Sequence, residues 1–201
     1  NTKNNIFITE NKKNYLANLA SEISAEIIEH KNFIGGRYSV LSEVGMLPAE
    51  LMGLNEKKFK QFNVLIKNKL FLNQLIQNVG STLDLVKKDK YISVILNYDE
   101  KSDNLFKWYQ QLIAESLGKK SKGILPLIST MPKDNHSLMQ FYLGGPKKNF
   151  YTFFSVYEKN SNLINKKKLL GSYYFLKNKN LQNILYAQKK ATENVFKNKK
   201  I

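Results

Sequence analysis

The chain has one arginine, Arg37, among its 32 basic residues, and it stands in the string Gly35-Gly36-Arg37-Tyr38-Ser39. A guanidinium group presents a planar fork of donors and is always charged, which a lysine cannot reproduce. Two preceding glycines let the backbone pass close to another group or adopt a positive φ. Arg37 is therefore a candidate for binding an anion or an enolate-like oxygen. The alternative is an arginine in a turn that pairs with a nearby carboxylate.

A second candidate is Glu115, which stands one helical turn after Gln111 in a segment with helical periodicity. Residues at this spacing project from the same helix face. Glu115 falls near the C-terminal end of the predicted helix, where the helix dipole disfavours negative charge, and burial there would favour a general base. The alternative is a solvated carboxylate that pairs with Lys119.

The two histidines differ in their sequence surroundings. His136 follows Asp134 and Asn135 in a predicted polar loop after a strand, and α/β proteins commonly place functional residues in such loops. A single loop histidine is a weak signal by itself. His30 ends an apolar strand and precedes a turn, so we interpret it as a structural or surface residue.

Composition excludes several classes of protein. The 201 residues are 42% hydrophobic and 12% aromatic, which is enough to bury a core and is not typical of disorder. No apolar run approaches the roughly 18 residues of a membrane span, and there is no cysteine, so we expect a cytoplasmic protein without a membrane partner. The sequence shows no metal-ligand cluster and no glycine-rich nucleotide motif, so we expect neither a metal nor a cofactor.

The net charge of +16 raises the possibility of a nucleic-acid partner. The lysines are scattered in small groups, and phosphate-binding surfaces usually combine arginine with lysine. We therefore expect no nucleic-acid partner. A diffuse positive field would also attract a small phosphorylated substrate.

Alternating helical and strand patterns predict an α/β fold with a parallel sheet covered by helices. A nearly continuous apolar run at 91–96 is typical of a central strand that is buried on both faces. The remaining predicted strands are 5–9, 26–30, 123–130 and 151–157; the predicted helices are 11–23, one beginning near 42, one from a cap at Asn55 to about 86, 103–117 and 181–196.

Three strings, taken together and in this order, resemble the signatures of the glucose-6-phosphate isomerase (phosphoglucose isomerase) family. The first is Gly35-Gly36-Arg37-Tyr38-Ser39-Val40, in which Glu43 follows at a position where that family commonly has a small residue or proline. The second runs from Trp108 through Gln111 and Glu115 to Gly123. The third is Asn135-His136-Ser137 with Gln140.

The resemblance implies a three-layer αβα sandwich with a mostly parallel sheet, the sugar-isomerase (SIS) type of domain. We expect 1–52 to be the end of a first such domain and 53–201 to be a second one, incomplete at its C-terminus. The family's phosphate-binding loop and its C-terminal lysine signature are not found in these 201 residues. We therefore expect this segment by itself to be inactive.

The resemblance also implies a reaction, the interconversion of an aldose phosphate and a ketose phosphate through a cis-enediolate, as in glycolysis and gluconeogenesis. Glu115 would be the base, Arg37 would bind substrate and stabilise the enediolate, and Gln111 would hydrogen-bond the sugar. His136 would open the sugar ring in the partner's site of a homodimer. The alternatives are a non-catalytic sugar-phosphate-binding protein on the same fold and, less well supported, a nucleic-acid binder.

Overall fold

The computed structural model describes residues 4–55, 57–158, 161–164 and 170–201. The chain forms two compact units, Asn1–Gly80 and Ser81–Ile201. Each unit contains its own parallel sheet with flanking helices, so the α/β fold expected from the sequence is confirmed. The assignment of 1–52 to the end of a first sugar-isomerase domain and of 53–201 to a second one stays a prediction.

The first unit begins with a strand-helix-strand arrangement, as predicted. Strand β1 (Ile6–Glu10) pairs in parallel with β2 (Glu26–His30), with Glu10 opposite His30 in the register. Helix α1 (Tyr15–Glu22) connects them, and the Asn14 side chain caps it by accepting from the Ala17 N–H at 2.9 Å. Beyond β2 the chain forms a short 3₁₀ helix (Gly36–Leu41) and then α2 (Glu43–Leu51).

The long helix predicted from Asn55 to about residue 86 is divided into three. Asn55 does cap the first, since its side chain accepts from the Lys57 N–H at 2.9 Å. Asn68 interrupts the pattern, because its backbone is extended and its side chain accepts from the Phe71 N–H at 3.1 Å, which starts a new helix. The three helices are α3 (Lys57–Lys60), α4 (Asn63–Lys67) and α5 (Lys69–Lys87).

The second unit is built on a three-stranded parallel sheet with the order β4-β3-β5. The central strand β3 (Ile92–Asn97) lies between β4 (Leu125–Thr130) and β5 (Asn149–Phe154). Val94 and Leu96 on one face of β3 have no exposed surface, and Ile95 on the other face is 5% exposed, which confirms the prediction of a strand buried on both faces.

Helices cover both faces of this sheet. Helix α6 (Asp103–Leu117) packs Phe106 against Phe154 of β5 with ring centroids 4.8 Å apart, and α9 (Leu181–Asn198) packs Phe196 against Phe153 at 5.5 Å. Phe153 and Phe154 are consecutive strand residues, so their side chains point to opposite faces. The second unit is therefore a three-layer αβα sandwich, as expected.

The polar loop predicted around His136 is helical, which corrects the sequence interpretation. Residues 134–144 form two short helices, α7 (Asp134–Ser137) and α8 (Met139–Gly144), between β4 and β5. The buried core of this unit joins β3 to these helices and to α9, through Val94, Leu96, Tyr98, Met131, Tyr142 and Phe196.

Candidate functional site

The helix that carries Gln111 and Glu115 is anchored at the carboxyl end of the central strand. Asn97, the last residue of β3, is 1% exposed, and its side-chain amide donates to the Asp103 carboxylate at 2.7 Å. The Asn97 oxygen accepts from the Asp99 N–H at 3.0 Å. Asp103 is the first residue of α6, as predicted for the helix 103–117, and is fixed to the strand through Asn97.

From this anchor α6 runs back along the sheet toward the amino ends of the strands. Its 15 residues correspond to about 22 Å of helix. Midway along the helix, Gln110 donates to the Pro126 carbonyl of β4 at 3.1 Å. Gly123, with φ 139°, lies so close to the helix end that a Cβ there would approach the Leu117 carbonyl oxygen to 2.9 Å. The C-terminal end of α6 thus lies beside the start of β4.

Gln111 and Glu115 share one exposed face of α6, as their spacing predicts. The Gln111 amide donates to Glu115 Oε2 at 3.4 Å, a long hydrogen bond. Both side chains are exposed, so the burial expected for Glu115 is not observed. The pair is open to a molecule that approaches the helix from outside the sheet.

His136 is held at the carboxyl end of the edge strand. The Asp134 carboxylate accepts from the Thr130 N–H at 2.8 Å and from Ser129 Oγ at 3.2 Å, which fixes the start of α7 to the end of β4. Ser137 Oγ donates to the other Asp134 oxygen at 3.2 Å. The His136 side chain is exposed.

Behind α7, a chain of buried hydrogen bonds continues into the sheet. Ser129 has no exposed surface, and its hydroxyl lies 3.0 Å from the Tyr142 hydroxyl. Tyr151 OH donates to the Tyr142 carbonyl at 3.2 Å, and the Asn149 amide donates to Tyr151 OH at 3.0 Å. Burial raises the pKa of Tyr142, so its phenol stays protonated at neutral pH.

The topology therefore separates Glu115 from His136. Glu115 lies near the first residue of β4, whereas His136 follows the last one. The six residues of β4 span about 17 Å at the usual rise of a strand. Within one chain, the two side chains lie at opposite ends of β4.

Arg37 belongs to the first unit, in the 3₁₀ helix after β2. It is half-buried, and its guanidinium carbon lies 4.9 Å from the centroid of the Tyr38 ring, a cation–π distance. Of the two options that the preceding glycines allow, a positive φ is not used: Gly35 has φ −67°, and neither glycine lies in the left-handed region. A Cβ on Gly36 would meet no atom within 4 Å apart from those of its two chain neighbours.

His30, interpreted from the sequence as structural or surface, forms an ion pair that spans the Arg37 segment. Its Nδ1 contacts Glu43 Oε1, and its Nε2 lies 3.1 Å from the Ile34 carbonyl oxygen. The hydrogen bond with Glu43 raises the pKa of His30. The pKa of Glu43 is lowered by its own backbone N–H and by His30.

The described ranges contain neither a metal-binding cluster nor a membrane-spanning helix. No group of three or more histidine, cysteine, aspartate or glutamate side chains there is arranged to hold a metal ion. Every helix in the same ranges is too short or too polar to cross a membrane.

Comparison with known proteins decides the family. The profile of phosphoglucose isomerase matches residues 8–164, a range that contains Arg37, Gln111, Glu115 and His136. The chain belongs to the phosphoglucose isomerase family. Family membership confirms the resemblance that the three sequence strings predicted.

Curated members of the phosphoglucose isomerase family align with most of this chain. It is 35% identical to the glucose-6-phosphate isomerase of Methanocaldococcus jannaschii over 158 residues, which cover 74% of this chain and 38% of that protein. It is 32% identical to the glucose-6-phosphate isomerase of Mycoplasmopsis pulmonis over 190 residues, which cover 92% of this chain and 44% of that protein. The chain thus spans less than half the length of these relatives.

A solved structure agrees with the fold expected for the phosphoglucose isomerase family. A hypothetical protein from Thermus thermophilus superimposes with a TM-score of 0.78 at 24% identity, over 93% of this chain and 47% of that chain. At this identity the likeness concerns the fold alone.

Sequence reasoning missed the residues that position the family's site strings. Asn97 fixes α6, and Asp134 fixes α7 through Ser129 and Thr130. A polar residue that ends a buried apolar strand, as Asn97 does, was the available signal. Asp134 was noticed only as a neighbour of His136.

Proposed function

We propose that the protein to which these residues belong is a glucose-6-phosphate isomerase, which interconverts glucose 6-phosphate and fructose 6-phosphate through a cis-enediolate. The supporting observation is the family match over residues 8–164, which includes all four expected site residues. A cytoplasmic location is part of this proposal, in keeping with the lack of cysteine.

Glu115 is proposed as the base that takes a proton from one carbon of the sugar and returns it to the next. A single carboxylate suits this task, because the same group accepts and then donates the proton. Gln111 donates to Glu115 Oε2, and so orients the carboxylate. The exposure of both side chains leaves the carboxylate accessible to a substrate carbon.

Arg37 is proposed to bind the substrate and to stabilise the negative charge of the enediolate. A cation fixed in advance is more effective than one that must reorganise during the reaction. The Tyr38 ring, 4.9 Å from the guanidinium carbon, is one contact that restrains it.

His136 is proposed to open the sugar ring in the active site of a second subunit. The placement of Glu115 and His136 at opposite ends of β4, about 17 Å apart along the strand, supports this assignment, since one chain then does not bring both to one sugar. The proposed active unit is therefore a homodimer, in which each site combines Glu115 of one subunit with His136 of the other.

The proposed reaction is tested by an assay that couples formation of glucose 6-phosphate from fructose 6-phosphate to a dehydrogenase. Glu115→Gln keeps the shape and removes the base, and we expect kcat to fall by at least about 10²-fold. Glu22→Gln is the matched control, because Glu22 is also an exposed glutamate at the C-terminal end of a helix. It should leave kcat unchanged.

Turnover near the wild-type level in Glu115→Gln would contradict the assignment of the base. Protection of the wild-type protein against heat by fructose 6-phosphate, with no turnover, would favour the non-catalytic sugar-phosphate-binding alternative. The same assay on the 201-residue chain alone tests the expectation that it is inactive by itself.

A further inference from the structure

The segment that carries Arg37 is closed at its base by a side-chain pair. His30 is the last residue of β2 and Glu43 is the first residue of α2, and they form an ion pair. Residues 31–42, which include Arg37, lie between them in the sequence. Both partners are largely buried, with side-chain exposures of 15% and 24%. The pair therefore ties the end of the strand to the start of the helix.

The hydrogen bonds of His30 determine its protonation state. Nδ1 faces the Glu43 carboxylate, and Nε2 faces the Ile34 carbonyl oxygen at 3.1 Å. Both of these partners are acceptors, whereas a neutral imidazole has only one N–H. Only the imidazolium form can donate to both at once. Loss of one proton must break one of the two bonds.

The bond to Ile34 connects His30 to the turn that contains Arg37. Ile34 precedes Gly35, whose carbonyl accepts from the Tyr38 N–H at 2.9 Å. Within the same turn, Ser39 Oγ donates to the Gly36 carbonyl at 2.7 Å. A displacement of Ile34 is therefore passed directly to the backbone on both sides of Arg37.

We propose that His30 is a positioning residue for Arg37, which in its protonated form holds the 31–42 segment and so places the guanidinium for the reaction. The inference rests on the proposed function, because it assigns His30 a purpose through the role of Arg37. His30 does not contact the reacting atoms and is not itself a catalytic residue.

Two further charged groups act on the pair. Glu10 of β1, opposite His30 in the sheet register, favours the imidazolium, and Lys31 favours the Glu43 carboxylate. Lys31 also pairs with Glu29 at 3.1 Å. Both influences act in the same direction as the pair itself, which favours the doubly charged form.

The direction of the pH dependence follows from the two pKa values. The pKa of His30 is raised above that of a free histidine. Its contribution to holding the 31–42 segment is therefore fully present at lower pH and is lost as pH rises through the raised value. Because the pKa of Glu43 is lowered, its contribution is lost only as pH falls through that lowered value. The segment is held across the range between them.

The first test needs no enzyme activity and no variant. In an NMR titration of the wild-type protein, the ring nitrogens of His30 and the backbone amide of Arg37 are followed across the pH range. We expect the Arg37 amide to change with the same midpoint as His30. An Arg37 amide that does not respond to the His30 titration would overturn the inference.

The second test is kinetic and uses Glu43→Gln and His30→Gln. Both should lower kcat by about tenfold at neutral pH with little change in KM, because small misplacement of an aligned group reduces the rate more than binding. In the wild type, kcat should fall on the alkaline side as His30 loses its proton. In His30→Gln, this alkaline fall of kcat should be absent. Glu29→Gln removes a neighbouring ion pair that does not involve His30, and should match the wild type.

The outcomes separate this inference from the proposed function. If the wild-type protein shows no isomerase turnover, the proposed function fails, and the NMR titration still decides whether His30 controls the Arg37 segment. If turnover is present but the alkaline loss of kcat persists unchanged in both variants, the inference is wrong and the proposed function stands.

Discussion

The segments that carry Arg37 and His136 both follow the last residue of a parallel strand, but they are fixed by different chemistry. The Arg37 segment is closed by an ion pair between His30 and Glu43. The His136 segment is closed by the Asp134 carboxylate, which accepts from a backbone N–H and from the fully buried Ser129 hydroxyl. The Arg37 segment is held by the proton of a histidine, whereas the anchor of the His136 segment is hydrogen-bonded to neutral hydroxyl groups in the core.

This difference predicts which segment responds to pH. A histidine titrates near neutrality, so the Arg37 segment is sensitive to modest changes of pH. The Tyr142 phenol, which contacts Ser129, has its pKa raised by burial and does not ionise there. We therefore expect the Arg37 segment to loosen on the alkaline side of neutral while the hydroxyl chain behind His136 stays intact.

Among changes within these two segments, the largest effect is expected from Arg37→Lys, which keeps the charge of the segment but removes the planar fork. We expect kcat to fall by about 10²-fold, the usual consequence of removing one donor that stabilises the transition state, with a smaller rise in KM. Steady-state kinetics in the coupled assay measures both constants. A pure rise in KM would show that Arg37 binds the ground state instead.

Asp134→Ala tests the anchor of the other segment. It leaves the Thr130 N–H and the Ser129 hydroxyl without their carboxylate partner, and we expect the free energy of unfolding to fall by about 1–3 kcal/mol. Urea unfolding followed by the fluorescence of Trp108, in the same unit, measures it.

The control for Asp134→Ala is Ser137→Ala, which removes one exposed bond to the same carboxylate. We expect its cost to stay within about 0.5 kcal/mol. Equal destabilisation by the two variants would show that the bonds to the end of β4 are not what holds α7.

A smaller effect is expected from Tyr142→Phe, which removes the phenol but leaves Ser129 bonded to Asp134. We expect a loss of about 0.5–1.5 kcal/mol in the free energy of unfolding, equal on the acid and alkaline sides of neutral. Urea unfolding at several pH values measures this. If the loss in the free energy of unfolding changes over the pH range in which histidine titrates, the two segments do not differ in their response to pH.

Much of the fold could be predicted because it follows from local patterns. The apolar run of β3, the helical stripe of α6 and the strand-helix-strand opening reflect burial and periodicity, which the sequence displays directly. The break of the long predicted helix at Asn68 was missed because a local cap competes with apolar periodicity. The helix at Asp134–Ser137 was missed because it depends on contacts with β4.

The candidate site also has parts that the sequence predicts and parts that it does not. Gln111 and Glu115 share a helix face because of their spacing, so the sequence was sufficient. The pair of His30 and Glu43 joins two elements across a turn, and no periodic pattern connects them. The separation of Glu115 from His136 depends on the course of α6 back across the sheet, which only the topology reveals.

The central claim is that Glu115 and His136 of one chain serve different active sites. The most direct test mixes the nearly inactive Glu115→Gln and His136→Ala proteins under conditions that allow verified exchange of subunits. In each mixed dimer one of the two sites combines the intact Glu115 of one subunit with the intact His136 of the other, so a mixed dimer should recover about half of the activity of a wild-type dimer. No recovery after exchange would show that His136 acts in the site of its own chain.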